Sequence, residues 1–539
     1  MGIETRVAFV ALAAAGLFAC SDPAAPAKST ILGQPDAEAP DASVPVDADV
    51  GVDAADASKP DSAAADAGLP TPNVGWLWHP SRVDSVRGVA TDAAGATFAV
   101  GEFTGALVDF GAGHIASSAD EFSSDAFVVK LDASGAPAWA VAIGGANADE
   151  GAAIAVDLAG DVYVTGRYES SQGYAFNLGG LTISAPVGAQ YGGFAAKLKG
   201  SDGSVLWAIP LASAGSGVRF ACRAAAATTK VVAFGCDFDG KAFEYPGGSL
   251  QNLDQVALRA DVAVLAVDPA TGKALWANRI GTAGALDAIG NLAADSSGDV
   301  LVSATVYGAT VADALGSLSA SKIGLFSNGV LGRMSAASGK LAWSRLVGGG
   351  APIDARAIGA DGVGHLFATG SVTTAGDLGL SAPITTAGPT DAYVAALDAS
   401  TRATSWAKLA GGSDHAPLPF EFAAAIAVDG QGNALVGGAH FSTDAAAFGS
   451  AIQNPLAAGH LGAAFCAKLT PAGAVTWSYG FPASGVMESS QVTSVAFAAG
   501  GAARVGGLWQ GAARIDGAMA YKSNLGGSMP AGYVLAIKL

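Results

Sequence analysis

The chain has 539 residues, 51% hydrophobic and only 14% charged, with 74 glycines and a net charge of −18. That is ample apolar material for a core, and low charge with many glycines fits a β-rich extracellular protein better than a helical cytosolic one. No basic patch or stripe is present to neutralise phosphates, which argues against nucleic-acid binding.

Residues 7–19, VAFVALAAAGLFA, form an uncharged apolar run. Thirteen residues suit a signal h-region and are too few to span a bilayer. The run ends in Leu17-Phe18-Ala19-Cys20, which resembles the bacterial lipobox. The resemblance implies that residues 1–19 are a signal peptide. It also implies that Cys20 becomes an acylated, palmitate-bearing N-terminus, and several acyl chains anchor stably. Gly2 does not open a myristoylation motif, because position 6 is Arg. Ser21, rather than Asp, follows the cysteine, and by resemblance to enteric sorting rules this favours the outer membrane. Residues 20–72 then read as a spacer of Ala, Asp, Pro, Ser and Val without aromatics. Residues 21–71 hold ten acids against Lys28 and Lys59, so they carry eight of the eighteen net negative charges. Such a segment buries too little apolar surface to offset its ordering entropy, and a disordered, self-repelling tether is expected. Asp47 and Asp49 lack the rest of a calcium loop.

From Asn73 onward the chain repeats about every 67 residues. Each unit opens with two alternating runs around a tight polar turn, as in AAIAVDLAGDVYVTGRY (152–168) and AAIAVDGQGNALVGGAHF (424–441). Period-2 hydrophobicity around a Gly-containing turn predicts a β-hairpin. After a longer loop comes a strand, a turn and a Trp-bearing strand, as in AFVVKLDASGAPAWAVAIGG (126–145). The unit therefore has four strands. GYVLAIKL (532–539) supplies a third strand and NVGWLWHPS (73–81) a Trp strand, so pairing them closes a ring. Trp76 or Trp78 with Trp139, Trp207, Trp276, Trp343, Trp406 and Trp477 mark seven units. The expected fold is all-β, a seven-bladed β-propeller over 73–539. Closure hides the sheet edges, so a monomer is expected.

The pattern AVDxxGxVYVTG followed by FVxKLDxxGxxxWA resembles the bacterial SBBP-type β-propeller repeat, and the resemblance spans essentially all of 73–539. It implies a propeller on an exported or cell-surface protein and no particular activity.

With strands A to D numbered from the channel outward, the A–B and C–D turns are short and uniform. The B–C connections (104–124, 169–191, 239–260, 308–327, 373–390, 442–461 and 510–530) are long and unlike one another. They share a face with the D–A connections, and that face is expected to carry binding loops. An acid recurs before strand A: Asp84, Asp149, Asp287, Asp354, Glu421 and Glu488, with Arg219 near the vacant place in blade 3. Two readings of this ring stand. It is a cation or cationic-ligand site, with Ca2+ the natural hard cation, or each carboxylate accepts backbone N–H bonds and staples its D–A loop. The second is preferred, because a residue repeated in nearly every unit serves the repeat.

The seven tryptophans read as packing between blades. The six histidines (79, 114, 365, 415, 440, 460) are scattered, and Asp414-His415 has no partnered nucleophile. No zinc-protease, hydrolase-elbow or P-loop pattern is present. Cys222 and Cys236 lie equally far from a hairpin turn near Thr229, so they oppose each other at disulfide reach. An exported protein can oxidise such a pair. Cys466 reads as a small buried hydrophobe. The expected function is a non-catalytic binding or scaffold module, anchored by lipid and facing an envelope protein or glycan. The alternatives are a glycan lyase or hydrolase with carboxylates at the channel mouth, and a calcium-stabilised structural propeller.

Overall fold

The computed structural model describes residues 73–538 except 106, 114, 117–122, 146, 170–174, 179, 185–190, 215–219, 256–257, 308–310, 314–326, 349–350, 362–363, 381–382, 399, 414–419, 454–455, 457–461, 483–488, 516–518 and 523–529. The signal, Cys20 and spacer readings on 1–72 lie outside the described residues. The described chain is a seven-bladed β-propeller. Strands A to D run Val83–Thr91, Thr97–Thr104, Ser124–Leu131 and Pro137–Gly144 in blade 1. In blade 2 they run Asp149–Val156, Val162–Glu169, Tyr191–Leu198 and Val205–Ala214. In blade 3 they run Phe220–Ala227, Val232–Phe238, Asp261–Val267 and Ala274–Thr282. Blades 4 to 6 open with Ala288–Ala294, Ala357–Ala360 and Phe422–Val428, and strand A of each blade touches strand A of the next, around the whole ring.

Closure follows the expected pairing. Strand D of blade 7 is Asn73–Trp78 and strand C is Ala531–Lys538. They run antiparallel with Asn73 opposite Lys538 and Trp78 opposite Val534.

The repeat motif has a local physical reason. In the A–B turn of blade 2, the Asp157 carboxylate accepts the N–H groups of Ala159 (2.9 Å) and Asp161 (3.0 Å), while Gly160 sits at φ +85°. Asp satisfies donors that the turn leaves orphaned, and glycine takes the left-handed conformation. Asp132 does the same in the C–D turn of blade 1. The recurrent Lys of strand C answers the A–B aspartate: Lys197 Nζ lies 3.6 Å from Asp157 and 3.0 Å from Asp161, above the Tyr163 ring.

Tryptophan joins consecutive blades. The Trp139 indole donates to the Gly200 carbonyl in the next C–D turn (3.1 Å). Trp76, Trp207, Trp276 and Trp406 donate to Ala133, Pro269, Ala336 and Pro471. Every acceptor lies two residues past the end of a strand C. Trp76, not Trp78, is therefore the equivalent residue in blade 7. Trp477 Nε1 is buried without a partner among the described residues. Its acceptor would belong to a C–D turn in blade 7, where the ring instead closes between two distant parts of the chain.

The B–C connections differ from the expected free loops. The hairpin of Ala175–Leu178 and Leu181–Ser184 in blade 2 extends the sheet of blade 1, with Asn177 opposite Gly144. Ala242–Tyr245 of blade 3 pairs with strand D of blade 2, and Val311–Asp313 of blade 4 pairs with that of blade 3. Ala446–Ala447 of blade 6 pairs with strand D of blade 5. In blade 5, the Asp377 carbonyl accepts the Gly348 N–H (3.1 Å). In blade 1, the Phe110 carbonyl accepts the Trp78 indole N–H (2.9 Å) and the two rings stack. In blades 1 to 6 these connections latch the blade to the one before it. Strand D is an open edge with unpaired backbone groups, and the variable segment satisfies them together with its own.

Candidate functional site: the channel wall and its rim

Strand A is innermost, and a β-bulge interrupts its pairing in blades 1, 2, 3, 4, 6 and 7. A bulge adds one residue and re-aims a side chain. The residues left over at these bulges include Arg87, Ala152, Arg223, Ala424 and Thr493. Arg356 stands just before strand A of blade 5, its N–H donating to Thr369. Strand B carries Gly101, Gly166, Gly370, Gly438 and Gly507 opposite this point, where a Cβ would overlap a backbone carbonyl of strand A or, in blade 5, that of Asp354 just before it. That is why the repeat ends in glycine.

In blade 3 the same place holds Cys236, bonded to Cys222 across the hairpin. Both cysteines are fully buried. The disulfide expected from their spacing is present, and it replaces a glycine contact with a covalent one. Cys466 is buried and unbridged.

Blades 1 to 3 wall the channel with charge. Arg87 Nη2 contacts Glu102 of its own blade (2.9 Å) and Glu150 of blade 2 (3.5 Å). Arg167 Nε reaches Glu150 at 3.1 Å and Arg223 Nη2 reaches Asp237 at 3.2 Å. Glu150 feels all three guanidinium charges, with Arg87 first, and they hold its carboxyl below the usual range against the opposing cost of burial. The remaining wall is milder. Arg356 pairs with Asp354 (2.8 Å) and lies over the Phe422 ring. Ala424 and Thr493 stand at the bulges of blades 6 and 7. Sequence reading missed this arc, because bulge residues have no period-2 signature. The one available signal was charge directly after the strand B glycine: Glu102 follows Gly101 and Arg167 follows Gly166.

The recurrent acids sit in the seams between blades. Asp149, Asp287 and Glu421 are only 2%, 2% and 3% exposed. Asp149 accepts the N–H of Gly145 in the D–A loop (2.6 Å). Asp287 accepts N–H groups from Thr282 (2.5 Å) and Tyr307 (3.0 Å). Glu421 accepts the Ser442 hydroxyl. Asp84 accepts the Thr104 hydroxyl (2.5 Å), and Asp354 accepts the Ser371 N–H (2.5 Å) and hydroxyl (2.8 Å). Each carboxyl ties the end of strand B to the start of its own blade, and Asp149 and Asp287 also hold the preceding D–A loop. Glu488 and Arg219 lie outside the described residues.

Burial raises Asp149 to about 8, with the neighbouring Asp125 charge adding to it. Burial likewise raises Asp287 to about 7 with help from Asp261, and Glu421 to about 8 with help from Asp391. Asp84 rises to about 6, chiefly by burial. The facing acids come from strand C: Asp125 and Asp261 at its start in blades 1 and 3, and Asp391 midway along the long strand Ile384–Asp398 of blade 5. Among the described residues, no group of three or more His, Cys, Asp or Glu side chains converges to hold a metal ion.

The histidines stay apart. His79 packs beside Trp509, and His365 contacts Asp361 at 2.5 Å. His440 is buried, its Nδ1 on the Ser442 carbonyl (3.1 Å), and desolvation lowers it to about 4. His114, Asp414-His415 and His460 lie outside the described residues.

No family model and no curated protein matches the chain. Among solved structures it is similar to BamB from Moraxella catarrhalis, at 12% identity over 87% of this chain and 100% of that one, with a TM-score of 0.37. It is similar to the Dos1 propeller at 9% identity, over 87% of this chain and 95% of that one, with a TM-score of 0.38. It is also similar to the quinohemoprotein alcohol dehydrogenase from Comamonas testosteroni, at 9% identity over 86% of this chain and 76% of that one, with a TM-score of 0.34.

Proposed function

We propose that this chain is a lipid-anchored protein of the bacterial envelope whose propeller is a non-catalytic binding module. One observation carries the binding reading. Of the large apolar side chains exposed among the described residues, Leu107, Leu258, Tyr307 and Phe420 lie in B–C or D–A connections, while Leu181 sits on the hairpin that extends the sheet of blade 1. Those connections share one face. The turns of the opposite face contribute Leu158, and Leu206 and Leu275 lie on outer strands. The connection face thus carries more of these residues than the turn face does, and it is the side on which we place a partner. Asn73 pairs with Lys538 at the end of strand C, so the chain enters the propeller on the opposite, uniform face. The anchor reading rests on the apolar run ending at Cys20.

Two experiments test this. Tagged full-length protein is used to capture partners from envelope extract, beside Leu107→Asp, Leu258→Asp and, as control, Leu158→Asp. Capture lost in the first two and kept in the third is expected; capture indifferent to all three refutes the recognition face. Cys20→Ala should move the protein out of the membrane fraction, and a variant that stays membrane-bound refutes the anchor.

A further inference from the structure

We infer that the channel wall of blades 1 to 3 is an oxyanion site, taking a carboxylate, sulfate or phosphate group of the ligand. The inference rests on the reading of the propeller as a binding module and names the chemistry it recognises. Arg87 and Arg223 occupy the bulges of strands A in blades 1 and 3, and Arg167 lies on strand B of blade 2 between them. All three act on Glu150. The formal charges of Arg87, Arg167 and Arg223 balance those of Glu102, Glu150 and Asp237, but the two sets are unequally exposed. The guanidinium side chains are 30%, 28% and 35% exposed, while the acids are 19%, 16% and 10% exposed. The arginines are thus the more accessible members of these pairs.

The donors are also uncommitted. Arg87 uses Nη2 for both of its acids, and its Nε is buried without a partner among the described residues. Arg223 contacts Asp237 through Nη2 at 3.2 Å. A guanidinium carries five N–H groups in a fixed fork that matches oxyanion geometry. A contact through Nη2 occupies one arm of that fork, and the other arm can serve a second acceptor. Glu150 is the resident counter-ion that keeps the cluster assembled while the site is empty. Beyond this arc the wall offers Arg356 already paired with Asp354, and Ala424 and Thr493 at the bulges of blades 6 and 7, so a ligand would be held against blades 1 to 3.

The test titrates full-length protein with citrate, sulfate and phosphate, with chloride adjusted to constant ionic strength, and reads binding by calorimetry. Saturable binding of at least one oxyanion is expected, and the three probes tell the sources apart. Arg87→Ala and Arg223→Ala should each weaken it about tenfold or more, the value of one charge-assisted hydrogen bond. Glu150→Gln removes the competing carboxylate and should tighten it several-fold, an effect of opposite sign that simple misfolding does not produce. No saturable binding to any probe overturns the proposal, as does affinity indifferent to both arginines or weakened in Glu150→Gln. Partner capture that survives both arginine substitutions would sink this site while leaving the binding module standing. Oxyanion binding without partner capture would do the reverse.

Discussion

Asp149→Asn should flatten the dependence of stability on pH. The Asp149 side chain lies in the seam between blades 1 and 2, 2% exposed. Its pKa is raised to about 8, because burial and the Asp125 charge outweigh the N–H bonds from Gly145 and Glu169. In the unfolded chain an aspartate ionises near pH 4. Between pH 5 and 7 the folded protein thus holds one proton at this site that the unfolded chain has lost. Linkage then makes stability fall as pH rises, by up to ~1.4 kcal/mol per pH unit, or ~2.7 kcal/mol across this window. The contribution is fully present below pH 4 and gone once pH has risen through 8. Asparagine does not titrate, and its carbonyl oxygen can still accept one N–H. Urea unfolding of parent and variant at pH 5, 6 and 7, followed by tryptophan fluorescence, gives the two slopes. The variant should lose ground at pH 5 and recover it toward pH 8. A variant slope equal to that of the parent would show that Asp149 is ionised in the folded protein, and the seam argument would fail.

Reduction of Cys222–Cys236, or replacement of both by alanine, should cost about 3 kcal/mol, the value for a closed loop of roughly fifteen residues; the bridge closes a separation of 14. Unchanged melting under reductant would show that the strand pairing alone holds blade 3. Trp139→Phe removes an indole donor bonded to Gly200 at 3.1 Å and should cost ~1 kcal/mol beyond its loss of packing. Trp477→Phe should cost clearly less, because its Nε1 has no described partner; equal losses in the two variants would contradict the account of closure. Gly166→Ala places a methyl group against the Glu150 carbonyl and should destabilise by about 1–3 kcal/mol, measured by the same unfolding assay. A neutral result would mean that strand A can move away from strand B.

The sequence by itself determined the number of blades, the four strands in each and the pairing of Asn73–Trp78 with Ala531–Lys538. These are legible because period-2 alternation, the Asp-x-x-Gly turn and one Trp per unit are local patterns repeated many times. The opposition of Cys222 and Cys236 was legible for the same reason, since a hairpin turn sets its own register. The tertiary structure decided what no single unit contains. It placed Asp149, Asp287 and Glu421 in seams against Asp125, Asp261 and Asp391, partners that belong to a neighbouring blade. It turned the variable B–C connections into latches, because the open edge that satisfies their backbone lies one blade away. It also brought Arg87, Arg167 and Arg223 around Glu150, since curling the sheets into a ring makes neighbours of residues about 65 positions apart, and no local period records that distance.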